Sequence, residues 1–351
     1  MLWREVASMI VPRDREVERM AWERQDNLTK PPRSLGRLEE LSVLLASMQG
    51  TLRPRTGRKA VFVMAGDHGV AEEGVSKYPQ EVTAQMVLNF LRGGAAINAI
   101  SRSVGARVIV VDIGVKADLP EHTGLVSKKV RKGTGNIAKG PAMTREEAER
   151  ALDIGVELAL SEVDKGLDIV ATGDMGIANT TPSAAVICAL TGARPEDVVG
   201  RGTGIDDTTL ARKIEVVRRA LDVNRPNPSD PLDVLHKVGG LEIAGLAGIV
   251  LGCASRRVPV VLAGFISTAA GLVACAIEPR AGDYLFAGHL SAEKGHRIAL
   301  DKLGLEPILN LGMRLGEGTG AVLAMAVLDA AASVLNEMAT FEEAGVSGPA
   351  R

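Results

Sequence analysis

Short aliphatic runs separated by helix-length segments recur along this chain, and each run stops in glycines and polar residues. The runs at 59–65, 107–111, 167–171, 258–262 and 284–287 read as strands buried on both faces of a sheet. Alternation of such strands with helices predicts an α/β fold built on a doubly wound, mainly parallel, Rossmann-like sheet. Ligands of such folds bind at the carboxyl ends of the strands, where this chain concentrates its glycine, hydroxyl and charged residues. No repeat of solenoid or propeller period competes with that reading.

The flanks differ. Residues 13–49 are helical in pattern, broken at 30–36 where Pro31 and Pro32 force an extended turn. With the tail they predict a small helical subdomain from residues 1–50 and about 325–351, beside an α/β domain of 55–324. A helix over 83–103 is interrupted by Gly93-Gly94, and Thr144 with Glu147 forms a capping box that opens the next helix. Residues 116–141 read as a long loop of the functional or mobile kind.

A formal charge of −2 and an aromatic content of 3% argue against binding a polyanion or stacking single-stranded nucleic acid. The uncharged stretch 258–277 contains Pro259, Gly264 and Gly271, so it reads as strand, glycine loop and buried helix, not a membrane span. Cys188, Cys253 and Cys275 lack CxxC spacing and read as reduced core thiols. Residues 1–13 have no signal-peptide profile. The expectation is a cytoplasmic protein without nucleic-acid or membrane partners.

Chemistry concentrates in the strand-end loops. Gly66-Asp67-His68-Gly69 offers a carboxylate and an imidazole that could ligate a metal or act as acid and base. With no second His/Asp cluster at ligand spacing, the preferred reading has Asp67 capping a turn and His68 held by a neighbouring strand end, with no metal. The loop from Thr172 to Pro182 combines glycines, hydroxyls and a helix start, the ingredients of an anion site. Gly200-Arg201-Gly202-Thr203-Gly204 is a second glycine loop, from which Lys213 could return its ammonium to a phosphate, although the P-loop order is missing. Near the end, Gly316, Gly318 and Gly320 surround a single carboxylate, Glu317. Alone, such a Glu is a solvated loop residue or a complement to the helix dipole.

Taken together these loops resemble the nicotinate-nucleotide:dimethylbenzimidazole phosphoribosyltransferase family, which makes the lower-ligand nucleotide of cobamides. The matching stretches are Leu28-Thr29-Lys30-Pro31-Pro32-Arg33-Ser34-Leu35-Gly36, the loop 65–70, Tyr78-Pro79-Gln80-Glu81-Val82-Thr83, the loop 173–181, the loop 200–204 and Leu315-Gly316-Glu317-Gly318-Thr319-Gly320. They keep the family order across almost the whole chain.

The resemblance implies transfer of phosphoribose from nicotinate mononucleotide to an aromatic base by a homodimer that needs no cofactor. It implies Glu317 as general base and Asp174 as its catalytic companion. It places the base pocket around Tyr78, Pro79, Gln80, Gln85, Met86 and Leu315. The nucleotide phosphate falls to Met175, Gly176, Asn179, Thr180, Thr181, Gly202, Lys213 and Ser291. The family pattern has Glu where this chain has Asp174, and often Gly at Ala178. Other readings stay open: a relative that glycosylates another base or a phenol, a metal-dependent phosphohydrolase built on Asp67 and His68, and a nucleotide-binding sensor.

Overall fold

The computed structural model describes residues 1–202 and 204–348; Thr203 of the second glycine loop lies outside them. The strands are β1 (Lys59–Gly66), β2 (Ala106–Gly114), β3 (Leu125–Ser127), β4 (Ile169–Met175), β5 (Val260–Leu262), β6 (Leu285–His289) and β7 (Pro307–Leu309). They form one parallel sheet in the order β3-β2-β1-β4-β5-β6-β7. The chain runs outward from β1 to β3, then returns beside β1 and builds the other half. That reversal opens a crevice between the carboxyl ends of β1 and β4. Met64 pairs with Asp174 and Ala65 with Met175, so the loops that follow these two strands leave the sheet side by side.

Several expectations need correction. The loop expected at 116–141 contains β3, which pairs Val110 with Leu125 and Asp112 with Ser127 at the sheet edge. Three residues followed by Lys128 and Lys129 leave too little periodicity to reveal a strand. The fourth predicted strand is shorter than its apolar run, because Pro259 has no N–H for the ladder, although its carbonyl accepts from the Val170 N–H at 3.0 Å. As the Gly93-Gly94 pair indicates, the helix breaks: Gly93 at φ 76° ends Val82–Arg92, and a separate helix, Ala96–Val104, follows. The Thr144 capping box forms as expected: the Glu147 N–H donates to Thr144 Oγ1 at 3.2 Å and the Thr144 N–H to Glu147 Oε2 at 2.8 Å.

Two groups of helices cover the sheet. Arg145–Asp164 packs on Leu241–Ser255, whose residues from Leu241 to Ala254 are all buried. Thr319–Glu337 packs on Arg37–Gln49 and Ala96–Val104 and across β4 to β7. This helix of 19 residues is long and apolar enough to span a membrane, yet 56% of its most apolar 18-residue window is buried inside the protein. The stretch 258–277 is β5 followed by the buried helix Phe265–Ile277. The chain ends meet beside this core, where Leu28 bridges Thr340 and the Thr29 N–H donates to the Ala339 carbonyl at 3.1 Å. Ala21, Val43, Ala46 and Leu335 form a small satellite cluster there.

Candidate active site

A cavity of about 730 Å³ lies over the carboxyl ends of β4, β5 and β6. Glu317 forms part of its wall in the glycine turn between β7 and helix Thr319–Glu337. Gly316, Glu317 and Gly318 all have positive φ, at 88°, 61° and 96°. The turn lies flat on the sheet: a Cβ on Gly318 would come within 2.6 Å of Val61 Cγ2, and a Cβ on Gly173 would collide with the Glu317 carbonyl. The glycines therefore serve close approach to β1 and β4. Only 6% of Glu317 is exposed, and its Oε2 accepts the Ile97 N–H at 3.0 Å, at the start of helix Ala96–Val104. Burial raises its pKa, and that one backbone donor opposes the rise.

Asp174, near the end of β4, is buried beside this turn; a Cβ on Gly316 would lie 3.2 Å from its Oδ2. Asn179 Nδ2 donates to the same oxygen at 2.9 Å. Burial, with the nearby Glu242 and Glu317 carboxylates, pushes the Asp174 pKa up to about 7 against the pull of Asn179 and His68. Behind it, His68 Nε2 lies 2.9 Å from Glu242 Oε1, a buried ion-pair contact whose angle falls short of a hydrogen bond. His68 is thus held by the first turn of a helix and not, as expected, by a strand end. Asp67 does anchor a turn, its Oδ2 accepting the Lys116 N–H at 2.8 Å. Among the described residues no group of His, Cys, Asp and Glu is arranged to hold a metal ion.

At the other end the wall turns basic. Lys213 is 1% exposed and donates from Nζ to Thr180 Oγ1 at 2.7 Å and to the Gly200 carbonyl at 3.3 Å. Burial pushes its pKa down to about 8, against the attraction of Glu293. Gly202 has φ 51°, and a Cβ there would meet Thr180 Oγ1 at 3.2 Å and Lys213 Nζ at 3.3 Å. Ser291 joins this end of the cavity, its N–H donating to His296 Nδ1 at 2.8 Å. Arg314 Nη1 donates to the Gly202 carbonyl at 2.6 Å and so ties the Glu317 segment to the second glycine loop. Such a pocket favours an anion, which would restore the charge that burial discourages on Lys213.

Most of the expected site residues converge here. Tyr78, Met86, Asp174, Met175, Gly176, Asn179, Thr180, Gly202, Lys213, Ser291, Leu315 and Glu317 line the cavity, with Tyr78 and Leu315 half-exposed at its rim. Pro79, Gln80, Gln85 and Thr181 do not. Val82 and Met86 are four apart on one helix face, which turns Gln85 outward to solvent. Gln80 sends its amide to the His68 carbonyl at 2.9 Å, and Pro79 is exposed. Thr181, one residue around the helix start from Thr180, is fully buried behind the wall. The residues missed include Val75, Ser76, Ile177, Phe265, His289, Glu293 and Arg314. His289 ends β6, so the strand-end rule could have found it; Val75 and Arg314 reach the cavity by loop path, which has no sequence signal.

The sequence model of a family described as Phosphoribosyltransferase matches residues 10–346. A nicotinate-nucleotide:dimethylbenzimidazole phosphoribosyltransferase of Chloroflexus aggregans is 60% identical over 338 residues, covering 96% of each chain. One from Desulforudis audaxviator is 57% identical over 344 residues, covering 98% of each. The crystal structure of CobT from Thermus thermophilus superimposes with a TM-score of 0.92 at 55% identity, covering 95% of this chain and 100% of that one. With this agreement in sequence, fold and cavity, the chain belongs to the nicotinate-nucleotide:dimethylbenzimidazole phosphoribosyltransferase family.

Proposed function

We propose that this chain transfers the phosphoribosyl group of nicotinate mononucleotide to 5,6-dimethylbenzimidazole or a related base. The products are nicotinate and α-ribazole phosphate, the latter for the nucleotide loop of cobalamin. The observation that carries this reading is the pairing, within one cavity, of a buried carboxylate at one end with a buried lysine and hydroxyls at the other. The donor phosphate pairs with Lys213, Thr180, Ser291 and the backbone of the 176–180 turn. The flat acceptor fits between Met86, Leu315 and Glu317.

The nicotinate nitrogen of the donor is already cationic, so it leaves as a neutral ring without an acid. Attack of the benzimidazole nitrogen on C1′ builds positive charge on the acceptor ring, and Glu317 takes the proton from the other ring nitrogen. Burial favours that transfer, since it raises the proton affinity of Glu317 while leaving the carboxylate accessible to the acceptor. Attack from the face opposite the leaving group inverts the anomeric carbon and gives the α-nucleotide. Asp174, close enough to feel the Glu317 charge, completes the acidic wall on the donor side. The reaction as written needs no resident cofactor. We further read the protein as a cytoplasmic homodimer, on its family resemblance.

The test is a single incubation with nicotinate mononucleotide and a panel of bases, with and without chelator, followed by mass analysis of the nucleotide products. A base-dependent, chelator-insensitive release of nicotinate is expected; phosphate release abolished by chelator would overturn the reading. E317Q should bind both substrates and lose at least about 100-fold in kcat. An unchanged kcat removes Glu317 from the chemistry.

A further inference from the structure

Beneath the cavity wall, two residues that the proposed chemistry does not use meet in the interior. His68 follows the end of β1 and Glu242 stands in the first turn of helix Leu241–Ser255; their side chains are 1% and 0% exposed, with Nε2 and Oε1 2.9 Å apart. The surrounding backbone is shaped to this pair. A Cβ on Gly240 would lie 2.7 Å from His68 Cε1, one on Gly176 3.1 Å from Nε2, and one on Gly66 3.3 Å from Glu242 Oε2. Gly176 is itself part of the cavity wall, two residues after Asp174. The His68 carbonyl also accepts the Gln80 amide at 2.9 Å, from the segment that brings Tyr78 to the rim. The imidazole therefore sits where the acceptor segment, the Asp174 loop and the Glu242 helix join.

We propose that His68, paired with Glu242, is a positioning residue that sets the charge of the cavity carboxyl group Asp174 by supplying a cation behind it. The proposal rests on the reading of Glu317 and Asp174 as the acidic wall of the reaction. The charged groups that face His68 are Glu242 from its helix, Asp67 beside it in the chain and Asp174 from β4; those that face Asp174 are Glu242, Glu317 and His68. Burial works to keep the imidazole neutral, but Glu242, Asp67 and Asp174 together outweigh it, so the ring holds its proton to higher pH than a free histidine. Without the cation Asp174 is left with Glu242 and Glu317 as its charged neighbours and the Asn179 amide as its donor, and it keeps its proton to higher pH. The wall on the donor side stabilises positive charge on the ribose only when Asp174 is ionised, so the acid limb of the rate moves upward.

The experiment compares pH profiles of kcat/KM for dimethylbenzimidazole in the parent protein, H68Q, the double variant H68Q/E242Q and E317Q, with KM for both substrates and melting temperatures. In H68Q the acid limb is expected to rise by about one pH unit, with KM for nicotinate mononucleotide changed by less than about threefold. The double variant, which removes opposite charges together, is expected to return the limb toward the parent's position. A uniform loss at every pH, or a double variant displaced as far as H68Q, overturns the proposal. Should H68Q fail to fold, nitrogen NMR of the unaltered protein decides: a His68 ring that stays imidazolium above the ordinary histidine pKa of about 6.5 supports it, and a ring already neutral there overturns it. E317Q separates the two ideas. If E317Q keeps the parent's kcat, the base reading fails whatever His68 does; if E317Q loses it while H68Q leaves the acid limb in place, only the role of His68 fails.

Discussion

A buried carboxyl group with carboxylate neighbours holds its proton longer than one in water, and Asp174 is the residue in which this consequence can be measured. Its pKa rises from 3.8 to about 7, through burial first and then Glu242 and Glu317. Below about pH 4 the group is protonated both folded and unfolded. Between there and about 7 the folded chain binds a proton that the unfolded chain has released, so stability falls as pH rises. Above the folded pKa the loss is complete. D174N removes the ionisation and should therefore gain stability over the parent progressively across this window. Urea midpoints at pH 5 and pH 8 should differ more between the two proteins at pH 8; equal differences would mean that Asp174 is not held protonated. The neighbouring Ala178 shows where sequence reading stops at this scale. Its backbone conformation was not legible: φ is 73° there, a left-handed conformation that costs a residue with a Cβ about 1–2 kcal/mol.

Elements were legible where they carried punctuation and illegible where they were uniformly buried. Thr144 and Glu147 announced the helix Arg145–Asp164, and Gly93 announced a break. The helix Leu241–Ser255 is apolar on every side, so it offers no stripe for periodicity to find, and the edge strand β3 is too short to show alternation. What distinguishes the pair of helices Arg145–Asp164 and Leu241–Ser255 is how closely their backbones meet. A Cβ on Gly155 would collide with the Gly245 carbonyl and would come within 2.9 Å of the Gly248 Cα, both of them backbone. Neither can yield as a flexible side chain would, so the helices must move apart. G155A should cost about 1–3 kcal/mol by overpacking. At Gly140 a Cβ meets nothing within 4 Å and φ is not left-handed, so G140A is the control. Equal urea midpoints for G155A and G140A would contradict the close approach.

Across the whole molecule, the carboxyl-end location of the site followed from strand–helix alternation, whereas the order of strands could not, because pairing depends on long-range contacts that local sequence does not encode. The same holds for the chain ends. We propose that residues 1–50 and the described part of about 325–351 form a helical subdomain that docks on the sheet and unfolds with it; residues 349–351 of that span lie outside the described residues. Their own cluster is small, while Leu41, Leu45 and Met48 from Arg37–Gln49 and Met325, Leu328, Ala331 and Ala332 from Thr319–Glu337 belong to the main core. Within this region Lys30 Nζ lies 2.9 Å from Glu39 Oε1, with the two side chains 6% and 0% exposed, and Lys30 also donates to the Gln25 carbonyl at 2.9 Å. K30M leaves Glu39 buried without its counter-ion, which should cost about 3–5 kcal/mol. Both tryptophans, Trp3 and Trp22, lie in the first 50 residues, and the Arg33 guanidinium stacks 3.7 Å from the centre of the Trp22 ring. Tryptophan fluorescence therefore reports on the chain ends and far-ultraviolet circular dichroism on the whole fold. If the ends are continuous with the core, K30M shifts both urea transitions to lower concentration together. A fluorescence transition that precedes the circular dichroism transition would mean that the ends peel away by themselves, and the shared core would not be what holds them.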